Sequence, residues 1–483
     1  MLDKAELLLP AGSLVKLKTA ILYGADAVYA GTPDMCLRAQ SKMTLEDLEE
    51  GIRFVHQNGK KIYLTLNLFM HNRDVAKLPQ FVETLRHLQP NGVLIADPGV
   101  FMYVKEHAPE LNLFVSTQAN ICSSLAVKFW QQQGAKLCVL GREVTFEEMQ
   151  EIRRQCPDIL LECFMHGAMC MWSYSGRCLI SNYLADRSAN PGKCAHCCRW
   201  HYKLHLRLKD GSVKEIEIND QNKDAFEFLL EEEFRPGELY EVVEDEHGGY
   251  MLNSKDMCLL PRLPDLLNLG MDSLKVEGRN KTEYYAAVVA RTYRQAIDDY
   301  YSDPRHWDFR RYMDDLYTLQ NRGYCLGFHD GKLTNISQNY EYTRTLGDWL
   351  FAGSIVEWQG NQAIFEIRNY IDKGEFIEFL LPGTLDNLRI TFDEFEDADS
   401  GEITAKVSAG QGKKIRIDFN KCKIQYCRNE KEESKTAPEL NIENIKELLP
   451  QYCIARKPAP LTGENRTMLD HKKAEFTQLC NRE

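Results

Sequence analysis

The feature that most constrains this chain is an alternation along its first 280 residues, in which short apolar β-forming runs are followed by amphipathic stretches. Runs at 6–9, 27–30, 61–66, 92–96, 112–116, 137–140, 159–164 and 273–276 are predicted strands. Helical patterns fill the gaps, for example at 44–56, 78–88, 123–134 and 145–155. Strands alternating with helices pair in parallel through right-handed crossovers. Eight such units are the number that closes a (β/α)8 barrel. The competing architecture is an open doubly wound sheet, but no Gly-rich phosphate fingerprint follows the first strand. An α/β fold of the TIM-barrel type is therefore expected.

At 483 residues the chain is too long for one typical domain. The barrel is expected over 1–335, with a long cysteine-containing insertion at 165–270 after the seventh strand. A loop of that length is far outside the usual range for a βα connection. A strong helical pattern at 282–301 closes the barrel. Short β runs at 354–358, 362–367, 375–381, 402–407 and 414–419 predict a small β-barrel domain over 345–430, followed by a linker and helical tail at 431–483. No stretch has the apolar length that spans a bilayer, and the N-terminus enters an apolar run without a basic leader. A cytoplasmic protein with no membrane partner is expected.

Barrel chemistry is placed at the C-terminal ends of the strands. Those ends carry Pro10-Ala11-Gly12, Gly31 with Arg38 beyond it, Asn67, Asp97-Pro98, Thr117-Gln118, Gly141-Arg142, His166-Gly167 and Glu277-Gly278-Arg279. The result is a polar mouth whose arginines, Arg38, Arg142 and Arg279, suit a small anionic co-substrate. The bland reading of each arginine is a salt bridge to Glu143 or Glu277. A net charge of −12 argues against a protein that grips nucleic acid with its whole surface, so RNA binding needs a local patch. One candidate alternates Arg199, His201, Lys203, His205, Arg207 and Lys209 with Trp200 and Tyr202, residues able to stack a base or simply to pack. A second, with Lys413, Lys414, Arg416, Lys421, Lys423 and Arg428, reads equally well as a solvated face.

Sixteen cysteines are many for a cytosolic chain, where disulfides are rare. Cys122, Cys138, Cys156 and Cys163 sit in apolar contexts and read as small buried hydrophobes. Cys170, Cys178, Cys194, Cys197 and Cys198 crowd the segment just after the seventh strand, which core packing explains poorly. Zinc and an iron–sulfur cluster both want four thiolates. Only Cys194 and Cys197 have the spacing of a zinc knuckle, and the wide gap from Cys170 to Cys178 favours a cluster fed by separate loops.

Several words in this order carry a family resemblance: Glu6-Leu7-Leu8-Leu9-Pro10-Ala11-Gly12, His166-Gly167-Ala168 with Cys170, Ser175-Gly176-Arg177-Cys178, Cys198-Arg199-Trp200, Arg235-Pro236-Gly237-Glu238, Asn253-Ser254-Lys255-Asp256 and Lys275-Val276-Glu277-Gly278-Arg279. The chain resembles the collagenase-like peptidases (family U, number thirty-two), and within them the branch that makes 5-hydroxyuridine in tRNA. The resemblance implies a 4Fe–4S cluster on Cys170, Cys178, Cys194 and Cys258, with Cys198 the main rival ligand and Cys36 a weaker one. One extra residue between Cys170 and Cys178, and the added Cys197, depart from the family pattern. It further implies oxygen-independent hydroxylation of the wobble uridine, with prephenate as hydroxyl donor and an electron-donor protein as a further partner. The candidate catalytic residues are then Arg38, Arg142, His166 and Arg279.

Other functions compete. Proteolysis, suggested by the family's older name, lacks a His-Glu-x-x-His or Gly-x-Ser-x-Gly word, although Cys197 with His196 or His166 would offer a cysteine–histidine pair. A non-enzymatic RNA-binding scaffold with a zinc knuckle is another. A third alternative is hydroxylation of ribosomal RNA or of a ubiquinone precursor on the same scaffold.

Overall fold

The computed structural model describes residues 4–32, 43–68, 70–169, 205–207, 213–215, 228–231, 239–245, 248–250, 254–331, 337, 339, 345–408, 410, 412–428, 438 and 440–481. Eight parallel strands close on themselves. β1 (Glu6–Ala11), β2 (Ala27–Gly31), β3 (Lys61–Leu66), β4 (Gly92–Ile95), β5 (Leu113–Val115), β6 (Leu137–Val139) and β7 (Leu160–Gly167) pair in sequence. A short strand, β8 (Asp256–Cys258), follows the insertion and lies antiparallel to the end of β7. β9 (Ser273–Val276) is the eighth stave and pairs in parallel with both β1 and β7. The expected barrel is present.

Its strands are buried on both faces, because the interior fills one side and helices cover the other. Local sequence starts each helix. Ser13 caps α1 (Leu14–Leu22) by accepting from Lys16 N, and Asp97 caps α4 (Pro98–His107) by accepting from Gly99 N and Val100 N. Reciprocal capping boxes, Thr44 with Asp47 and Thr145 with Glu148, open α2 (Leu45–Gln57) and α6 (Phe146–Gln155). Between these, α3 (Leu78–Leu88) and α5 (Ser124–Gln132) complete the outer ring on that side. After β8 come α7 (Leu263–Leu269), the long α8 (Glu283–Ser302), α9 (Arg310–Tyr317) and β10 (Tyr324–Cys325), which pairs in parallel with β8. The insertion contributes hairpin pairings of 205–207 with 213–215, 228–231 with 239–242, and 243–245 with 248–250.

The second domain is an antiparallel sheet. Its strands are β11 (Trp349–Gln359), β12 (Gln362–Ile367), β13 (Phe376–Leu380), β14 (Asn387–Thr391), β15 (Phe395–Asp397), β16 (Ile403–Thr404), β17 (Lys414–Asp418), β18 (Lys423–Cys427) and β19 (Ile454–Pro458). Their order is β16-β15-β17-β12-β11-β19-β13-β14-β18. The sheet thus runs past residue 430, since β19 lies between β11 and β13 at its centre. Two helices from the expected tail, α10 (Ile442–Leu448) and α11 (Gly463–Cys480), flank that strand.

The two domains are tied by buried polar groups. Tyr23 Oη donates to Leu380 O at 2.7 Å and accepts from Ile454 N at 2.9 Å. Arg291 on α8 grips Asp315 on α9 at 2.6 and 2.7 Å, and Arg456 on β19 reaches both Asp315 and Glu378 at 3.2 Å. α11 packs back onto the barrel domain. Its Lys472 Nζ donates to Asn321 O and Leu346 O at 2.7 and 3.0 Å, while Phe476 meets Tyr324 with ring centres 5.7 Å apart. Among the described residues, no helix is long and apolar enough to cross a membrane.

Candidate functional site

The C-terminal end of the barrel interior is cationic. On β9 the alternating residues Ser273 and Lys275, followed by Glu277 and Arg279 beyond the strand, point to partners inside the barrel. Lys275 Nζ lies 2.6 Å from Glu162 Oε1 and 4.5 Å from the centre of the Tyr29 ring. Above it, Arg142 stacks on Phe164 at 4.0 Å and pairs with Glu277 at 3.2 Å. Arg279 is 8% exposed, sits 5.7 Å from the Tyr29 ring centre, and donates from Nη1 to Thr65 Oγ1 at 3.4 Å. Lys275 and Arg142 each have a carboxylate partner, whereas Arg279 has only the Thr65 hydroxyl among the described residues. The buried Nε atoms of Arg142 and Arg279 have no hydrogen-bond partner among the described residues. A buried guanidinium short of acceptors is costly, and a bound carboxylate or phosphate group relieves that cost.

Close backbone approach fixes this loop. A Cβ on Gly12 would lie 2.2 Å from Arg279 O, so the end of β1 abuts the arginine's own carbonyl. Gly167, at φ +124°, ends β7 in a conformation that favours glycine, and a Cβ there would meet Glu277 O at 2.4 Å. Tyr285 on α8 donates its hydroxyl to the same Glu277 O at 2.7 Å.

A second group of side chains lies on the other face of β8. Met257 and Leu259 line a small cavity together with Arg142, Phe164 and His329. Between them, Cys258 turns toward α8, where its Sγ is 3.6 Å from Tyr293 Oη. The same hydroxyl is 3.1 Å from His166 Nδ1, and all three groups are buried. Tyr285, Tyr293 and Tyr324 surround the His166 ring with centres 5.5 to 6.0 Å away. Burial lowers the His166 pKa to about 3 against a smaller opposing pull from Asp256, so the ring is neutral. Burial pushes the Cys258 thiol up to about 12.

Four residues singled out from the sequence are thus located. Arg142 and Arg279 share the barrel mouth, and Arg142 makes the salt bridge to Glu277 that was its bland reading. Cys258 and His166 are joined through Tyr293 behind the mouth rather than in it. Arg38, Cys36, Cys170, Cys178, Cys194, Cys197 and Cys198 lie outside the described residues, as do the side chains of the basic run at 199–209. Among the described residues, no cluster of three or more His, Cys, Asp or Glu is arranged to hold a metal. Cys258 offers a soft sulfur with a hydroxyl at hydrogen-bond distance, as Cys453 does beside Tyr23.

Sequence reasoning missed Lys275, Glu162, Tyr29, Thr65 and Tyr293. Lys275 had a signal, since it sits two residues from Glu277 and four from Arg279, on one face of an extended segment. Tyr293 had none beyond helical spacing.

Comparison with known proteins agrees with the motifs. The family model described as Peptidase family U32 matches residues 12–339. A tRNA hydroxylation protein P of Escherichia coli is 39% identical over 414 residues, covering 82% of this chain and 90% of that protein. One from Haemophilus influenzae is 38% identical over 410 residues, covering 80% and 88%. A 23S rRNA 5-hydroxycytidine synthase of Escherichia coli is 32% identical over 295 residues, covering 61% of this chain and 39% of that protein.

Proposed function

This chain belongs to peptidase family U32, and from that membership we propose that it is a tRNA-modifying hydroxylase forming 5-hydroxyuridine at the wobble position. The observation that carries the reading is its similarity to tRNA hydroxylation proteins over about four-fifths of its length. The cationic barrel mouth supports it chemically. Prephenate is the proposed hydroxyl donor, and its carboxylates are held by Arg279 and by Arg38 from the segment after β2. Arg142, already paired with Glu277, frames the opening. Tyr29 and Phe164 form an apolar floor that excludes water from the ion pairs above. The wobble base of an anticodon loop is unpaired and reaches the mouth without being flipped from a duplex.

A 4Fe–4S cluster is proposed on Cys170, Cys178, Cys194 and Cys258, with Cys198 or Cys36 as replacement ligands. When bound, it supplies electron transfer or Lewis-acid iron for a reaction that needs no oxygen. An electron-donor protein and a cytoplasmic, reducing setting complete the proposal. A ribosomal RNA pyrimidine is the second reading, favoured by the 23S rRNA relative.

Nucleosides from a strain lacking the gene test this directly. Loss of 5-hydroxyuridine from tRNA is expected, and an unchanged tRNA profile overturns the assignment. Loss of 5-hydroxycytidine from 23S rRNA instead supports the second reading. Protein purified anaerobically is expected to contain iron and sulfide, and colourless protein holding zinc removes the cluster. Cleavage of gelatin by the purified chain would return proteolysis to consideration.

A further inference from the structure

We propose that the N-terminal end of the barrel, opposite the mouth, holds a binding site for a small aromatic carboxylate, independent of the hydroxylase and cluster readings. A cavity of about 330 Å³ opens there, large enough for a small organic molecule. Its walls come from the beginnings of β1, β3, β5, β6, β7 and β9, together with Asn91, Lys136 and Asp272, each of which stands immediately before a strand. Barrel enzymes run their chemistry at the other end, so this cavity has no part in the reaction proposed for the mouth.

Hydrogen-bond accounting sets the sign of the ligand. The two carboxylates in the cavity are already supplied by the protein. Glu6 accepts from Tyr63 Oη at 2.7 Å and from Lys61 Nζ at 2.9 Å. Asp272 accepts from the Arg153 guanidinium and from Leu161 N at 3.0 Å. The donors are not used up. Lys136 Nζ stands at the exposed rim without a partner among the described residues. Asn91 Oδ1 accepts from Ile62 N at 2.8 Å, which fixes the amide orientation and leaves the Nδ2 hydrogens for another partner. Lys61 keeps N–H groups beyond the one given to Glu6. A ligand that brings acceptors and negative charge matches this surplus, and a cation does not.

The apolar walls set the body of the ligand. Tyr63 and Phe114 meet edge to face with ring centres 5.0 Å apart, which makes an aromatic corner. Gly92 permits it: a Cβ there would lie 2.3 Å from the Phe114 ring, so the ring crosses the barrel end only above a glycine. Leu137 and Leu160 extend the apolar surface. An aromatic ring packs in this corner while its carboxylate meets Lys136 and Asn91.

The probe is para-fluorophenylacetate, followed by fluorine NMR and calorimetry on the full-length protein. Saturable binding is expected. Lys136→Met should weaken it by about 10-fold or more, the loss typical of a charge-assisted contact, and Lys136→Arg should restore most of it. Neutral para-fluorophenylacetamide should bind the parent about 10-fold more weakly than the acid, for the same reason. Because the mouth is also cationic, Arg279→Met separates the two ends, and the Lys136-dependent binding should persist in it. Lys136 is exposed, so its replacement should leave the melting temperature at the parental value.

Three results overturn the proposal: no saturable binding to the parent, parental affinity in Lys136→Met, or loss of all binding in Arg279→Met, which places the acid in the mouth. Each of them leaves the hydroxylase reading standing, because that reading uses no residue of this end.

Discussion

Lys275 and Glu162 form an ion pair 2.6 Å long inside the barrel, beneath Arg142 and Arg279. Both side chains are less than a tenth exposed. Glu162 also accepts from Ser273 Oγ at 3.0 Å, so the carboxylate is held from two sides.

Removing one partner strands the other charge in a dry interior. Lys275→Met should therefore destabilise the fold by about 3–5 kcal/mol. The double variant Lys275→Met with Glu162→Leu should recover most of that loss. Urea unfolding of the three proteins checks it, and equal midpoints for the single variant and the parent would show that the pair is not buried in solution.

Arg279 and Arg142 should separate in kinetics. Arg142 already has a carboxylate partner, whereas Arg279 has only the Thr65 hydroxyl among the described residues. A charge-assisted hydrogen bond contributes roughly 1.5–3 kcal/mol, so Arg279→Met should lower kcat/KM for the acid co-substrate by roughly 10- to 100-fold. Arg142→Met should cost less in KM. Steady-state hydroxylation at varied co-substrate concentration resolves the two, and a larger KM effect at Arg142 would reverse the assignment.

Lys472 gives the stability a pH dependence. Burial lowers its pKa to about 7 despite the attraction of Asp256 and Asp348. In the unfolded chain the amine titrates near its ordinary value of 10.5. Between those two values the unfolded state binds more protons, so stability rises with pH there; below about 7 both states are protonated, the slope vanishes and the full cost of the buried charge persists. The slope from this one group approaches about 1.4 kcal/mol per pH unit. Urea unfolding at pH 7, 8 and 9 should show that slope as the difference between the parent and Lys472→Met. A zero difference would mean that the amine is hydrated.

Gly12 is expected to tolerate no side chain. With Arg279 O only 2.2 Å from the position of an added Cβ, Gly12→Ala must move either β1 or the arginine loop. Overpacking of this kind costs about 1–3 kcal/mol. Hydroxylation should fall more than stability does, because the displaced backbone carries Arg279. Comparing the melting temperature with turnover for this variant checks that ordering.

The strands of the barrel were legible because each is a short apolar run between recognisable helix starts, such as Thr44 with Asp47 or Thr145 with Glu148. Arg142 and Arg279 were legible because barrel strands point their C-terminal ends at the site. Three things were not. The Lys275–Glu162 pair spans 113 residues and is brought together only by closure of the last strand against β7, which no local pattern encodes. Likewise Ile454–Pro458 follows a charged linker and looks like part of a tail, yet its backbone is claimed by strands on both sides. The Tyr293 contact needed the register of β8, a three-residue strand with too little sequence to announce itself.

α8 carries Tyr285 at one end, holding the carbonyl beside the arginine loop, and Tyr293 two turns later, touching the sulfur strand. One rigid rod therefore sets the spacing between the arginine loop and β8. A single residue inserted between the two tyrosines would turn one by about 100° relative to the other, so that the contacts to Glu277 O and Cys258 Sγ could not both be kept.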